Sequence, residues 1–180
     1  VGETAGGFLP GKTAALWRND IMLEPADLFG NRDPGCAEIL HEYFIPVTKM
    51  SAFVKAIRAV LRAHEVDLMN ITVRNVLPDD VTLLNYTRDI ETGAGTEVFG
   101  LVMLFHLLPN EAADKGMQTF TREMIDAALA CGGTFYLPYR LHATRAQLRR
   151  AYPQAEEFFQ LKRQRDPKGV FTNKFYETYG

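Results

Sequence analysis

Arg74 is the charge best placed for chemistry in this sequence. It closes an alternating run in which Asn70, Thr72 and Arg74 share one side of an extended chain, and Met69, Ile71 and Val73 share the other. A cation in that row binds an anionic substrate group or holds negative charge on a reduced cofactor. A structural role is equally open: an arginine on an edge strand, paired with a carboxylate or snorkelling to water. Glu42 stands between His41 and Tyr43. A buried carboxylate there orients Arg74 or acts on a substrate hydroxyl, unless it makes an ordinary ion pair. His106 follows Phe105 at the end of an apolar run, where a histidine handles protons, orients a substrate or simply packs. Tyr139, Arg140 and His142 follow a short aromatic stretch. In extended chain Arg140 and His142 project to one side and suit an anion or the edge of a cofactor. A solvated loop is the alternative.

The elements that carry these residues follow from periodicity. Residues 37 to 47 (AEILHEYFIPV) are rich in β-branched and aromatic types and read as a strand closed by Pro46. A helix follows to His64, with Phe53, Ile57, Val60 and Leu61 on one face. Residues 68 to 77 form the second strand, with Met69, Ile71 and Val73 expected to face the core. Pro78 to Glu97 is a polar connection, partly anchored by Leu83, Leu84 and Tyr86. Val98 to Leu108 is the third strand. Glu111 to Cys131 is a helix presenting Phe120, Met124, Ala127 and Ala128, stopped by Gly132-Gly133. Thr134 to Leu137 is the fourth strand. The order strand, helix, strand, strand, helix, strand predicts an α+β fold: a ferredoxin-like, split βαβ antiparallel sheet with both helices on one face. Two more helices are expected. Thr144 and Gln147 form a capping box for the first, Pro153 sits at the start of the second, and Asp166-Pro167-Lys168-Gly169 is a turn.

Composition narrows the function. The chain has 180 residues, 47% hydrophobic and 23% charged, enough for one domain with a real core. A formal net charge of -2 disfavours a protein built on nucleic-acid contacts. No apolar run approaches the roughly 20 residues of a membrane span. No basic stretch followed by an apolar core is present, so no signal peptide is expected. Cys36 and Cys131 lie far apart without a CxxC, and two unpaired thiols are expected. The histidines show no ligand spacing, so no metal site is expected. Residues 1 to 36 read as an irregular lead-in, with a short helix near Thr13 to Arg18. That stretch includes Gly6-Gly7-Phe8-Leu9-Pro10-Gly11-Lys12-Thr13, which satisfies the phosphate-loop pattern. A working loop follows a buried strand, and Val1 to Ala5 do not make one. A chance match is the reading.

Five stretches in the right order resemble one family. They are HEYFIPV (41–47), DLMNITVRNV (67–76), LVMLFH (101–106), GGTFYLPYRLHAT (132–144) and AYPQAEEFFQLKRQRDPKGVFTNKF (151–175). Together they resemble the C-terminal substrate (cap) region of FAD-linked oxidases of the vanillyl-alcohol-oxidase type, near their sugar-lactone and alditol members. The resemblance implies FAD as cofactor and hydride transfer from a hydroxyl-bearing carbon of a sugar, lactone or hydroxy acid to the flavin. It implies catalytic roles for Arg74, His106 and Arg140, cofactor contacts from His142 and Asn173, and substrate contacts from Glu42, Thr72 and Tyr139. It also implies an FAD-binding domain of the same protein as partner. No stretch here resembles that domain, so the expectation is an incomplete, inactive portion that holds FAD weakly alone. A sheet face left uncovered would allow a homodimer. Two positions depart from the sugar-lactone and alditol pattern. Leu137-Pro138-Tyr139-Arg140 stands in place of His-Trp-Gly-Lys, and Thr72 in place of the alditol oxidases' carboxylate. The rival reading is a stand-alone ferredoxin-like binding domain without catalysis.

Overall fold

The computed structural model describes residues 35–79, 81–87, 90 and 97–180. The phosphate-loop string and the short helix expected in the lead-in lie outside the described residues. In chain order the elements are β1 (Ala37–Pro46), α1 (Met50–Ala63), β2 (Asp67–Val76), β3 (Val98–Leu107), α2 (Glu111–Ala130), β4 (Thr134–Phe135), α3 (Arg145–Ala151), α4 (Ala155–Arg165) and α5 (Lys174–Tyr179). The sheet order is β2-β3-β1-β4 with antiparallel neighbours throughout. β3 splits the β1-α1-β2 unit and β1 splits the β3-α2-β4 unit, as the element order predicts.

Alternation decides which face is which. Tyr43 and Ile45 of β1 pack with Leu101, Met103 and Phe105 of β3 against Phe53 and Ile57 of α1 and Phe120 and Met124 of α2. Phe53, Phe105 and Phe120 are wholly buried, each contributing roughly 1.5–3 kcal/mol of apolar burial. The intervening residues, Glu42 and Phe44 of β1 and Gly100 and Val102 of β3, point to the helix-free face. That face has its own smaller cluster of Phe44, Val98 and Ile90, joined by Val76, Tyr86 and Tyr136.

The turn into β4 uses two glycines differently. Gly132 adopts φ +72°, the left-handed end of α2, and its N–H donates to Leu129 O at 3.1 Å. Gly133 allows a close approach: a Cβ there would stand 2.3 Å from Phe44 O. α3 has the expected capping box, Thr144 Oγ accepting from Gln147 N at 3.1 Å and Gln147 Oε1 accepting from Thr144 N at 3.0 Å.

Four expectations need correction. β4 ends at Phe135 rather than Leu137, although Tyr136 N still donates to Glu42 O at 2.9 Å, because the chain turns away toward Pro138. β2 is an edge strand, so Met69, Ile71 and Val73 are 39%, 38% and 51% exposed instead of core residues. Pro153 precedes the first residue of α4, Ala155, and its N-cap Gln154. The tail holds a further helix, α5, whose N-cap is Asn173, accepting from Tyr176 N at 2.9 Å. Cys131 carries a free thiol. Among the described residues no helix is long and apolar enough to cross a membrane, and no group of three His, Cys, Asp or Glu side chains could hold a metal ion.

Candidate functional site

The helix-free face collects polar side chains in rows set by the strand register. Thr72 of β2 pairs with Val102 of β3, which pairs with Glu42 of β1. One pair along, Arg74 is opposite Gly100, which is opposite Phe44. Strand spacing puts outer members of such a row about 10 Å apart at Cα, within reach of long side chains. Gly100 keeps the ground between them open. A Cβ there would lie 3.2 Å from Val76 Cγ2, 3.3 Å from Phe44 Cε1 and 3.4 Å from Glu42 Oε1.

A β-bulge brings Arg74 to this face. The pairing shifts by one residue between Leu68 and Asn70, so Leu68 stays beside Phe105 on the helix side while Asn70, Thr72 and Arg74 turn to the other.

Aromatic rings wall the site. Tyr86 stacks on Phe44 at 3.9 Å and 15°. Tyr136 meets Tyr86 edge-on at 5.6 Å and Tyr139 at 5.1 Å. The loop carrying Tyr86 is fixed by its own hydrogen bonds: Asp79 N donates to Thr87 Oγ1 at 3.0 Å, and Asn85 Nδ2 to Asp79 O at 2.6 Å. Thr134 Oγ1 donates to Tyr86 O, tying this loop to β4.

The groups on this face perturb one another's titration. Glu42 is 8% exposed. Burial raises its carboxyl above the usual range, and Arg74 partly opposes that. Burial also raises Tyr139, with Glu42 and Tyr136 adding to the rise and Arg74 opposing it. Tyr86 is raised by burial, then by Tyr136 and Glu42. The face therefore has a cation, a carboxyl of raised pKa, and three phenols.

Beside the β4 edge, Tyr139 borders a cavity of about 610 Å³, lined also by Arg140, His142, Asn173 and Lys174. Arg140 is ion-paired with Asp114 of α2. His142 is 5% exposed, and its Nδ1 lies 3.0 Å from Thr121 Oγ1. A second, more apolar cavity of about 700 Å³ lies between α4 and α5, flanked by Val170 and Phe171 and again by Asn173.

A family model described as D-arabinono-1,4-lactone oxidase matches residues 36–179, from the start of β1 to the end of α5. The chain belongs to that family. Lactone oxidases of this kind are FAD-linked oxidases, so the lineage is that of an oxidoreductase that uses FAD. No curated protein matches the chain.

Within this lactone-oxidase frame, the residues singled out in the sequence fall into three places. Glu42, Thr72 and Arg74 share the helix-free face. Tyr139, Arg140, His142 and Asn173 share the edge cavity, with Tyr139 adjoining both. His106 stands apart. It is six residues from Gly100 along β3, roughly 20 Å in an extended strand, between Glu38 at 3.9 Å and Asp67 at 3.3 Å. Sequence reasoning missed Gly100, Tyr86, Tyr136, His41 and Thr121. A glycine inside an apolar strand was a readable signal of close approach. His41 shares its side of β1 with Ile39, Tyr43 and Ile45, which signalled a buried imidazole needing a partner.

Proposed function

We propose that this chain is the substrate (cap) domain of an FAD-dependent oxidase acting on a hydroxyl-bearing small molecule such as a sugar, lactone or hydroxy acid. The observation that carries the reading is the placement of Arg74 and Glu42 on either side of β3, flanking Gly100, on a sheet face free of helices. A guanidinium that makes no ion pair among the described residues, beside an aromatic cluster on the same face, fits a planar ring that gains negative charge on reduction. When bound, the flavin supplies the hydride acceptor. Arg74 holds negative charge at that face, Glu42 accepts a hydrogen bond from the substrate hydroxyl, and Thr72 adds a further polar contact. The phenols of Tyr86, Tyr136 and Tyr139 form the rim. Arg140, His142 and Asn173 extend the site along the β4 edge. Val170 and Phe171, 69% and 78% exposed beside Asn173, support a tail that seats against an FAD-binding domain of the same protein.

The test is a visible spectrum of the protein from its complete reading frame. Flavin bands that bleach on adding a sugar, lactone or hydroxy acid are expected. Arg74→Ala should slow that bleaching by roughly 10²- to 10³-fold, the usual cost of one charge-stabilising group. A protein that stays colourless after FAD is supplied, or an Arg74→Ala variant that bleaches at the parent rate, refutes the reading.

A further inference from the structure

Thr121 of α2 is the meeting point of two buried imidazoles. Its hydroxyl lies 2.7 Å from Met117 O, one turn back in the helix, and has a single proton to give. That proton goes to the carbonyl. The oxygen then faces His142 Nδ1 at 3.0 Å and His41 Nε2 at 3.3 Å with only lone pairs left. Both ring nitrogens must therefore be donors. Nε2 of His142 lies across the ring from Nδ1, on the side away from Thr121. It makes no hydrogen bond with a described residue and is not sealed from solvent, and His142 lines the edge cavity.

The rest of that cavity is rich in donors. Arg140 and Lys174 are cationic, and Tyr139 offers a hydroxyl. Asn173 spends its carbonyl oxygen on Tyr176 N at 2.9 Å, which leaves its amide N–H groups. One negative charge, Asp114, is paired with Arg140. One imidazole lone pair among these donors matches a ligand with one hydroxyl beside a group that is negative and rich in acceptors.

We propose that Thr121 fixes His142 as the Nδ1–H tautomer, and that its Nε2, at the cavity wall, accepts the hydroxyl of a hydroxyl-bearing carboxylate whose charge faces Arg140 and Lys174. Thr121 and His41 are positioning residues; His142 is the group that touches the ligand. The lowered basicity of His142 agrees with an acceptor role: burial lowers its pKa, Asp114 opposes this, and Arg140 and Arg122 reinforce it. His41, facing it at 5.8 Å between ring centroids, has its pKa lowered to about 3, first by burial and then by His142 and Arg140. The proposal rests on the hydroxyl-substrate reading for its ligand class, but its tautomer can be measured without turnover.

The experiment is nitrogen-15 NMR of the imidazoles in the full chain, titrated with gluconate as the probe and with acetate and sorbitol as comparisons. His142 should be the Nδ1–H tautomer before any ligand is added. Gluconate should move its Nε2 resonance saturably, and acetate and sorbitol should not. Thr121→Val should mix the tautomers and weaken gluconate about tenfold, whereas Thr121→Ser should keep both within about twofold, a hydrogen-bond-sized difference. A proton on Nε2 in the parent protein overturns the proposal. So does an Nε2 indifferent to gluconate, or one that responds equally to sorbitol. Should Thr121→Val not fold, the parent tautomer and the Thr121→Ser titration still decide. A flavin spectrum that bleaches while Nε2 stays silent would sink this site and leave the oxidase reading standing.

Discussion

Acidification from pH 8 to pH 5 should cost this fold about 2 kcal/mol through His41 alone. The ring is 4% exposed and sits against Phe105 of β3, Thr121 of α2 and His142 of the following loop. Burial first, then His142, then Arg140 lower its pKa to about 3 from an ordinary 6.5. Below pH 6.5 the unfolded chain takes up a proton that the folded chain refuses. Stability is therefore complete above the unfolded value and is lost as the pH falls toward the folded one. Each unit inside that window is worth about 1.4 kcal/mol, so the roughly 1.5 units between 6.5 and 5 give about 2 kcal/mol. His142 shifts in the same direction and adds to the loss. The assay is urea unfolding across this range for the parent and for His41→Gln, which keeps a polar side chain facing Thr121 but does not titrate. Carboxylates and the other histidines are common to both proteins and largely cancel. The parent should lose about 2 kcal/mol more than the variant between pH 8 and pH 5. Equal slopes would refute the claim that His41 is held neutral.

Two buried tyrosines should answer one substitution with opposite signs. The Tyr43 hydroxyl is buried without a hydrogen-bond partner among the described residues, so Tyr43→Phe should stabilise the fold by about 1–3 kcal/mol in urea unfolding. The Tyr152 hydroxyl donates to Phe135 O, so Tyr152→Phe should destabilise it by about 1–2 kcal/mol and loosen the two-residue β4 in hydrogen exchange. Stabilities that move in the same direction would contradict this hydrogen-bond assignment. Gly133→Ala should cost about 3 kcal/mol, the upper end of overpacking, because its Cβ would meet the backbone oxygen of Phe44 at 2.3 Å. A loss under about 0.5 kcal/mol would mean that the turn moves freely.

Local patterns made the frame readable. Apolar spacing located both long helices, alternation located β2, and β-branched, aromatic and apolar runs located the other strands. The double glycine and the Thr144–Gln147 box marked real helix ends. What stayed hidden depended on neighbours in space. The alternation of Met69, Ile71 and Val73 was read correctly, but no local signal says that β2 lies at the edge, where their side chains are partly wet. Tyr86 was visible as an anchor for its connection, yet its place on Phe44 depends on hydrogen bonds from Asp79 to Thr87 and from Thr134. Asn173 attracted attention as a site residue. Its carbonyl caps α5, and the same position borders both cavities.

The bulge in β2 shows how the fold and the candidate site share one constraint. At the start of the strand Leu68 must lie on the helix side, where it packs on the core. Six and eight residues on, Arg74 and Val76 must lie on the helix-free side, beside Gly100 and Val98. Strict period-two alternation already sends even-numbered residues of one strand to one face, so Leu68 and Arg74 cannot serve opposite faces in an unbroken strand. One extra residue at Met69 resets the phase. Core packing therefore fixes one end of β2 and the polar face fixes the other. The cost is local: the shift falls on an edge strand, where one missing ladder position exposes little that the core needs.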